Sequence, residues 1–214
     1  MNFLTGNMDV IEAILRRRSI RKFEDKKLKK EEVGELLRAA RWTPSAGNTQ
    51  PWEIIVVRDV DIKEKLAKAS LEQDWMKKAP VILAICLNED LAERNYGDRG
   101  IDLYGIQSTG ALIENILLRA TEMGLGACWV GSFDETQVRT FLSCEKEEDI
   151  RPVALVPVGH PKKIPETTPR RKLHTFTHVD GYGKKDLHDW KGLKKYLRKT
   201  RSETQKLIKS LKKK

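Results

Sequence analysis

The sequence is poor in cysteine, which limits the classes of protein that it can represent. Cys86, Cys128 and Cys144 lie far apart among 214 residues and form no CxxC pair. A sparse, odd number of cysteines argues against a disulfide framework and fits a reducing compartment. The chain also has no apolar run of membrane-spanning length and no signal-peptide core near its N-terminus. We therefore expect a cytoplasmic protein without a transmembrane segment.

The common signatures of nucleotide and metal chemistry are also missing. The sequence has no GxGxxG after a strand, no GxxxxGK[ST] and no HExxH. His174 and His178 are four residues apart, but HTFTH is typical of extended chain and no cysteine lies near to complete a zinc site. Ser19 and Lys22 form an SxxK pair without the companion motifs of acyl-transferring serine enzymes. We therefore predict no metal site.

The excess positive charge, which is +10 for the whole chain, is confined to the C-terminal end. Residues 184–214 hold 13 Lys and Arg against three Asp and Glu, whereas residues 1–183 hold 28 of each kind. The length suits one domain of ordinary size. We therefore predict a neutral domain over residues 1–183 followed by a basic tail over residues 184–214.

The tail carries apolar residues at helical spacing among its lysines, at Leu187, Trp190, Leu193 and Leu197. One interpretation is a basic helix that packs on the domain or on a partner subunit. The other is a segment that binds nucleic acid or an anionic membrane surface. The sequence leaves both open.

Helical and strand patterns alternate along the domain. Apolar residues at helical spacing predict helices over residues 9–17, 30–42, 59–70, 101–123 and 134–142. Apolar runs predict strands over residues 52–57, 79–87, 126–132 and 152–161, the first two buried on both faces. The polar stretch 88–100 is predicted to be irregular. This order indicates a mixed α/β or α+β domain.

Two segments are candidates for ligand binding. RRRSIRKF, residues 16–23, is either a solvated helix end or an anion clamp, because guanidinium groups match phosphate oxygens and a serine hydroxyl adds a donor. TPSAGNTQPW, residues 43–52, is either a plain turn or a loop whose small residues let the backbone approach a flat ligand.

Taken together and in order, four motifs resemble the flavin-dependent nitroreductase family. They are RRSIR from Arg17, PSAGNTQPW from Pro44, GLGACWVGSFD from Gly124 and LVPVGHP from Leu155. The order and spacing match from about residue 9 to residue 179. The resemblance implies a homodimer of α+β subunits with three layers (α/β/α), a mixed, mainly antiparallel sheet and an exchanged C-terminal strand. It also implies one FMN at each of two sites between the subunits.

The resemblance assigns the basic segment to the cofactor. Arg17, Arg18 and Ser19 match the positions that hold the FMN phosphate and ribityl chain. Arg21 matches a cation beside flavin N1 and the C2 carbonyl. Arg170 matches a second phosphate ligand, although Arg171 is an alternative for that role because the register of PRRKL is ambiguous.

Two further groups of positions are carried over in the same way. The family's loop from the partner subunit corresponds to Pro44, Ser45, Ala46 and Asn48. Gly131 and Ser132 match the end of a strand whose backbone faces flavin N5 and O4.

The resemblance also implies a ping-pong reaction in which NADH or NADPH reduces the flavin and leaves before a small electron acceptor binds. Nitroaromatics and quinones are the usual acceptors of the family. The cofactor carries the chemistry while the protein positions it, so we assign no catalytic side chain. Leu71–Lys78 is very short where iodotyrosine deiodinases have a lid, which argues against dehalogenation. The alternative is a non-catalytic flavin-binding sensor or carrier whose basic tail engages a partner.

Overall fold

The structure, a computed structural model, describes residues 8–184. The chain divides after Pro165 into two compact units. Residues 184–214, predicted to form a basic tail, lie outside the described residues except for Lys184. Both interpretations of the tail, and the domain boundary after residue 183, therefore stay predictions. Within residues 8–184, no helix has the length and apolar character needed to cross a membrane.

The first unit contains helices and strands close to the predicted ones. Its α-helices are α1 (Val10–Arg16), α2 (Lys30–Arg41), α3 (Val60–Ala69), α4 (Glu89–Glu93), α5 (Ile106–Glu122) and α6 (Glu135–Phe141). Its strands are β1 (Trp52–Val57), β2 (Val81–Asn88), β3 (Gly126–Ala127) and β4 (Ile150–Gly159). Shorter turns span Ala46–Asn48, Asp74–Lys78 and, with π geometry, Gly100–Gly105. The second unit contains one 3-10 turn, Leu173–Thr175, within its described residues.

The four strands form one sheet in the order β1-β2-β4-β3, and each pair of neighbours is antiparallel. Strand β2 is buried on both faces, as predicted. Val81, Leu83 and Ile85 pack with α2 and α5 on one side, while Ile82 and Ala84 pack with α3 and α6 on the other. This alternation follows from the two-residue period of a strand. It confirms the α+β fold with three α/β/α layers; exchange of a C-terminal strand stays a prediction.

Strand β1 was wrongly predicted to be buried on both faces. It lies at the edge of the sheet and, among residues 8–165, pairs only with β2. Glu53 and Val56 are consequently exposed. The apolar run WEIIVV indicates a strand but carries no information about whether a second strand lies beside it.

Three other predicted elements have different bounds. Residues 88–100 are not wholly irregular, because Asn88 Oδ1 accepts a hydrogen bond from Leu91 N and caps α4. Helix α5 begins at Ile106 rather than residue 101, after the π turn. The strand predicted over residues 126–132 is regular only in β3, with a further isolated bridge between Val130 and Leu155.

Glycine substitutions test the tight packing before α5. A methyl group on Gly100 would collide with the carbonyl oxygen of Ala92, so Gly100→Ala should lower the free energy of unfolding by about 1–3 kcal/mol. A methyl group on Gly34, inside α2, would meet no other atom within 4 Å. Gly34→Ala should therefore raise the free energy of unfolding by roughly 0.5–1 kcal/mol. Urea unfolding measures both, and equal effects would contradict this packing.

Candidate functional site

The basic segment that follows α1 is held as an extra strand at the free edge of β3. Ser19 forms a parallel bridge with Ala127, and Ile20 N donates to Ala127 O at 3.0 Å. Further along, Phe23 forms an antiparallel bridge with Pro161. Ile20 is buried against the core. Because successive side chains of an extended segment point to opposite sides, Arg17, Ser19 and Arg21 share the other side.

These three side chains converge on one buried thiol, that of Cys128. Burial raises the pKa of the Cys128 thiol, while the Arg21 guanidinium, a hydrogen bond with the Ser19 side chain and the Arg17 guanidinium act to lower it. Two cations and a hydroxyl on one side of the segment therefore act on the same thiol, on the chain that continues β3. This arrangement suits an anionic group with several oxygens.

Arg18 lies in the same segment but is directed towards α1. Its Nη1 donates to Leu15 O and to Arg17 O, each at 2.7 Å. Binding the carbonyls at a helix C-terminus is favourable for a cation. The structure therefore brings together Arg17, Ser19 and Arg21 but gives the Arg18 side chain a structural contact. Its assignment to the FMN phosphate stays a prediction.

Two neighbouring side chains fix the orientation of the arginines. Arg17 Nε lies 3.5 Å from Glu114 Oε1 on α5. The Arg21 guanidinium carbon lies 5.8 Å from the centre of the Trp75 ring, which belongs to the Asp74–Lys78 turn. Neither Glu114 nor Trp75 was assigned from the sequence, because each lies more than fifty residues from its arginine.

Gly131 and Ser132 lie three and four residues beyond Cys128, on the exposed part of the chain between β3 and α6. Asp134 ends the segment by capping α6, since its Oδ1 accepts from Gln137 N at 3.0 Å. Hydrogen bonds from the backbone and the side chain of Gln137 lower the pKa of Asp134.

The loop formed by Pro44, Ser45, Ala46 and Asn48 is a tight turn with its own internal bonds. Ser45 Oγ accepts from Gln50 N at 2.9 Å. Gly47 and Asn48 adopt left-handed conformations with φ of 55° and 56°. A methyl group on Gly47 would lie 2.5 Å from the Tyr96 hydroxyl, so glycine permits this close approach. That the loop reaches the flavin of a partner subunit stays a prediction.

The second unit contains both candidates for the C-terminal phosphate ligand. Arg170 Nη1 donates to Thr168 O at 3.0 Å. The Arg171 guanidinium carbon lies 5.6 Å from the centre of the Phe176 ring. Both side chains are thus engaged locally, and the choice between them stays open. Among residues 8–184, no group of three or more His, Cys, Asp or Glu side chains is placed to hold a metal ion.

Comparison with solved structures defines the class of fold. The NADPH:FMN oxidoreductase of Vibrio harveyi, solved in complex with NAD⁺, superposes with a TM-score of 0.75 at 26% identity, over 91% of this chain and 85% of that one. The NfrA1 nitroreductase of Bacillus subtilis superposes with a TM-score of 0.74 at 25% identity, over 82% of this chain and 75% of that one.

Sequence comparison gives the family. The sequence profile of the nitroreductase family matches this chain over residues 14–73 and 70–160. A Methanothermobacter thermautotrophicus protein with the provisional name NADH dehydrogenase/NAD(P)H nitroreductase is 35% identical over 166 residues, which cover 76% of this chain and 82% of that protein. The chain belongs to the nitroreductase family.

The different orientations of Arg17 and Arg18 can be tested by parallel substitutions. We expect Arg17→Ala to weaken FMN binding roughly 10- to 100-fold, the range for one hydrogen bond to a charged group. Arg18→Ala should change FMN binding by less than about threefold but lower the free energy of unfolding by about 1 kcal/mol, because two carbonyls lose their donor. Flavin titration and urea unfolding measure these effects. Equal loss of FMN affinity in both variants would show that Arg18 also serves the ligand.

Proposed function

We propose that this nitroreductase-family protein is an NAD(P)H-dependent FMN oxidoreductase that reduces nitroaromatics, quinones or similar small acceptors. One observation carries the proposal: the segment with Arg17, Ser19 and Arg21 on one side is paired with Ala127, and the exposed Gly131–Ser132 segment continues the same chain. The names of relatives support it, since they include the NADPH:FMN oxidoreductase of Vibrio harveyi and an FMN reductase [NAD(P)H] of Bacillus subtilis.

The residues present fit FMN by their chemistry. A phosphate dianion requires cations and hydrogen-bond donors, which Arg17 and Ser19 supply from one side of an extended segment. Arg21 lies two residues further along, where it would face the pyrimidine edge of the flavin. Gly131 and Ser132 would offer backbone N–H groups to the ring, since Gly131 has no side chain to obstruct approach.

Bound FMN would supply the redox chemistry, taking a hydride from NADH or NADPH and passing two electrons to an acceptor. The protein's part is to bind, orient and stabilise charge. The Arg21 guanidinium would stabilise the negative charge that the flavin gains on reduction. Donor and acceptor would use the same open face in turn, which is the ping-pong order.

The proposal includes a homodimer. Val10, Ile11 and Ile14 of α1 are exposed apolar residues, and Trp42 at the end of α2 is 80% exposed. Clustered apolar exposure of this kind is typical of subunit interfaces. A partner subunit would contribute the Pro44–Asn48 loop, and Arg170 or Arg171 would add the second phosphate ligand.

The visible absorption spectrum tests the proposal most directly. We expect the purified protein to show a flavin spectrum that bleaches anaerobically with NADH or NADPH and returns when a quinone or nitroaromatic is added. The nucleotide that bleaches faster identifies the donor. A flavin spectrum that neither nucleotide bleaches would favour the non-catalytic sensor or carrier. A colourless protein that also fails to bind added FMN would refute the assignment of the site.

Substitution of Arg21 tests its role in stabilising charge. Arg21→Ala should slow flavin reduction roughly 10- to 100-fold, a larger effect than on FMN retention, because its charge matters most after reduction. Arg21→Lys is the matched control: it keeps the charge and should recover most of the rate. Stopped-flow absorbance measures the rates, and equal reduction rates in Arg21→Ala and the parent protein would contradict this role.

A further inference from the structure

The side chain of Trp75 lies between the core of the first unit and the basic segment. Its ring centre is 6.5 Å from that of Phe23 and 5.8 Å from the Arg21 guanidinium carbon. A guanidinium within about 6 Å of an indole ring is attracted by the negative face of that ring. Trp75 is partly buried and packs against two of the hydrophobic clusters. The ring therefore joins the packed interior to an arginine of the candidate site.

The orientation of Arg21 depends on this ring. The Arg21 side chain is exposed, and among residues 8–184 no carboxylate forms an ion pair with it. Arg17, by contrast, is paired with Glu114, and Arg18 donates to two carbonyl oxygens. An exposed arginine has many rotamers open to it, so a guanidinium without a neighbour spends little time in any one place. The contact with the Trp75 ring limits that freedom.

The turn that carries Trp75 is fixed to α3 at both of its ends. Before the turn, Gln73 N donates to Ala67 O at 3.0 Å. After the turn, Ala79 O accepts from Lys63 Nζ at 2.8 Å. Lys63 is itself buried, and a buried ammonium group is costly unless it is hydrogen-bonded. The position of the Trp75 ring is therefore set by the interior of the protein.

We propose that Trp75 is a positioning residue, which holds the Arg21 guanidinium towards the flavin and thereby raises the reduction potential of bound FMN. The inference rests on the proposed function, in which Arg21 faces the pyrimidine edge of the flavin. Reduction leaves negative charge on that edge, and a cation held close to it stabilises the reduced form more than the oxidised form. Without the ring, Arg21 would spend part of its time hydrated, and the reduced form would lose part of this stabilisation.

Replacement of the ring by an aliphatic side chain tests the proposal. Trp75→Leu keeps apolar volume against Phe23 but has no aromatic face. We expect the ratio of FMN affinities, reduced over oxidised, to fall roughly three- to thirtyfold, the range of one cation–π contact. For a two-electron couple, this is a fall of about 15–45 mV in midpoint potential. Reductive titration of the FMN-loaded protein against a reference dye measures the potential, and an unchanged value would overturn the proposal.

A double-variant cycle shows whether Trp75 acts through Arg21. Arg21→Ala alone should lower the midpoint potential. Adding Trp75→Leu to Arg21→Ala should then change the affinity ratio by less than about twofold, because the ring has no cation left to hold. If Trp75→Leu has its full effect in the Arg21→Ala background, the ring acts on the flavin directly and is not a positioning residue.

Two controls separate the loss of the ring from the loss of packing. Trp75→Phe keeps an aromatic face and should restore at least about half of the fall seen in Trp75→Leu, since phenylalanine attracts cations less strongly than tryptophan. Phe141→Leu removes a ring whose centre lies 5.8 Å from Lys65 Nζ, an equally long contact that does not involve the basic segment. It should leave the potential unchanged. An equal fall in Phe141→Leu, or no recovery in Trp75→Phe, would contradict the proposal.

The outcomes also distinguish this inference from the proposed function. A parent protein that binds no FMN refutes the function and this inference with it. A parent protein that is reduced by NADH or NADPH, but whose potential does not respond to Trp75→Leu, keeps the function and overturns only the role of Trp75. If urea unfolding shows that Trp75→Leu is not folded, Trp75→Phe decides instead. Its weaker aromatic face should lower the affinity ratio about twofold relative to the parent protein, and an unchanged ratio would overturn the proposal.

Discussion

The candidate site depends on one backbone pairing, the docking of residues 17–23 along the free edge of β3. The bond from Ile20 N to Ala127 O and the bridge between Ser19 and Ala127 place an extended segment beside Cys128. That extension turns Arg17, Ser19 and Arg21 to one side. A methyl group on Gly126 would collide with Ile20, so the glycine is what permits the segment to lie so close. Without this pairing the chain would carry the same charges but no binding surface.

The sheet supports this pairing from behind. Strand β2 contributes side chains to the hydrophobic cores on both sides of the sheet, and β4 lies between β2 and β3. The edge at β3 is therefore backed by the packed core, which matters because a ligand site is only as well placed as the elements that hold it.

Much of the fold could be predicted from local patterns, because the helix and strand periods of α2, α3 and β2 are set by burial of their own residues. The misjudged elements depend on distant parts of the chain. Nothing within WEIIVV indicates an edge strand, and nothing within residues 126–132 indicates that pairing with β4 ends at Ala127.

At the candidate site, the motif RRSIR predicts the same role, binding of the FMN phosphate and ribityl chain, for Arg17 and Arg18. The structure directs the Arg18 side chain to the end of α1. The contact of Arg21 with Trp75 arises only in three dimensions.

The pairing of an early segment with late ones also bears on how the protein is made. Ser19 bridges to Ala127 and Phe23 to Pro161, so the basic segment leaves the ribosome long before either partner exists. Such contacts between distant parts of a chain form slowly, since a large loop must close first. During synthesis the arginines would remain exposed to solvent until the sheet had formed. Binding competence would thus arise near the end of translation of the first unit, and a chain cut short before residue 161 would lack the Phe23–Pro161 contact despite containing the whole basic motif.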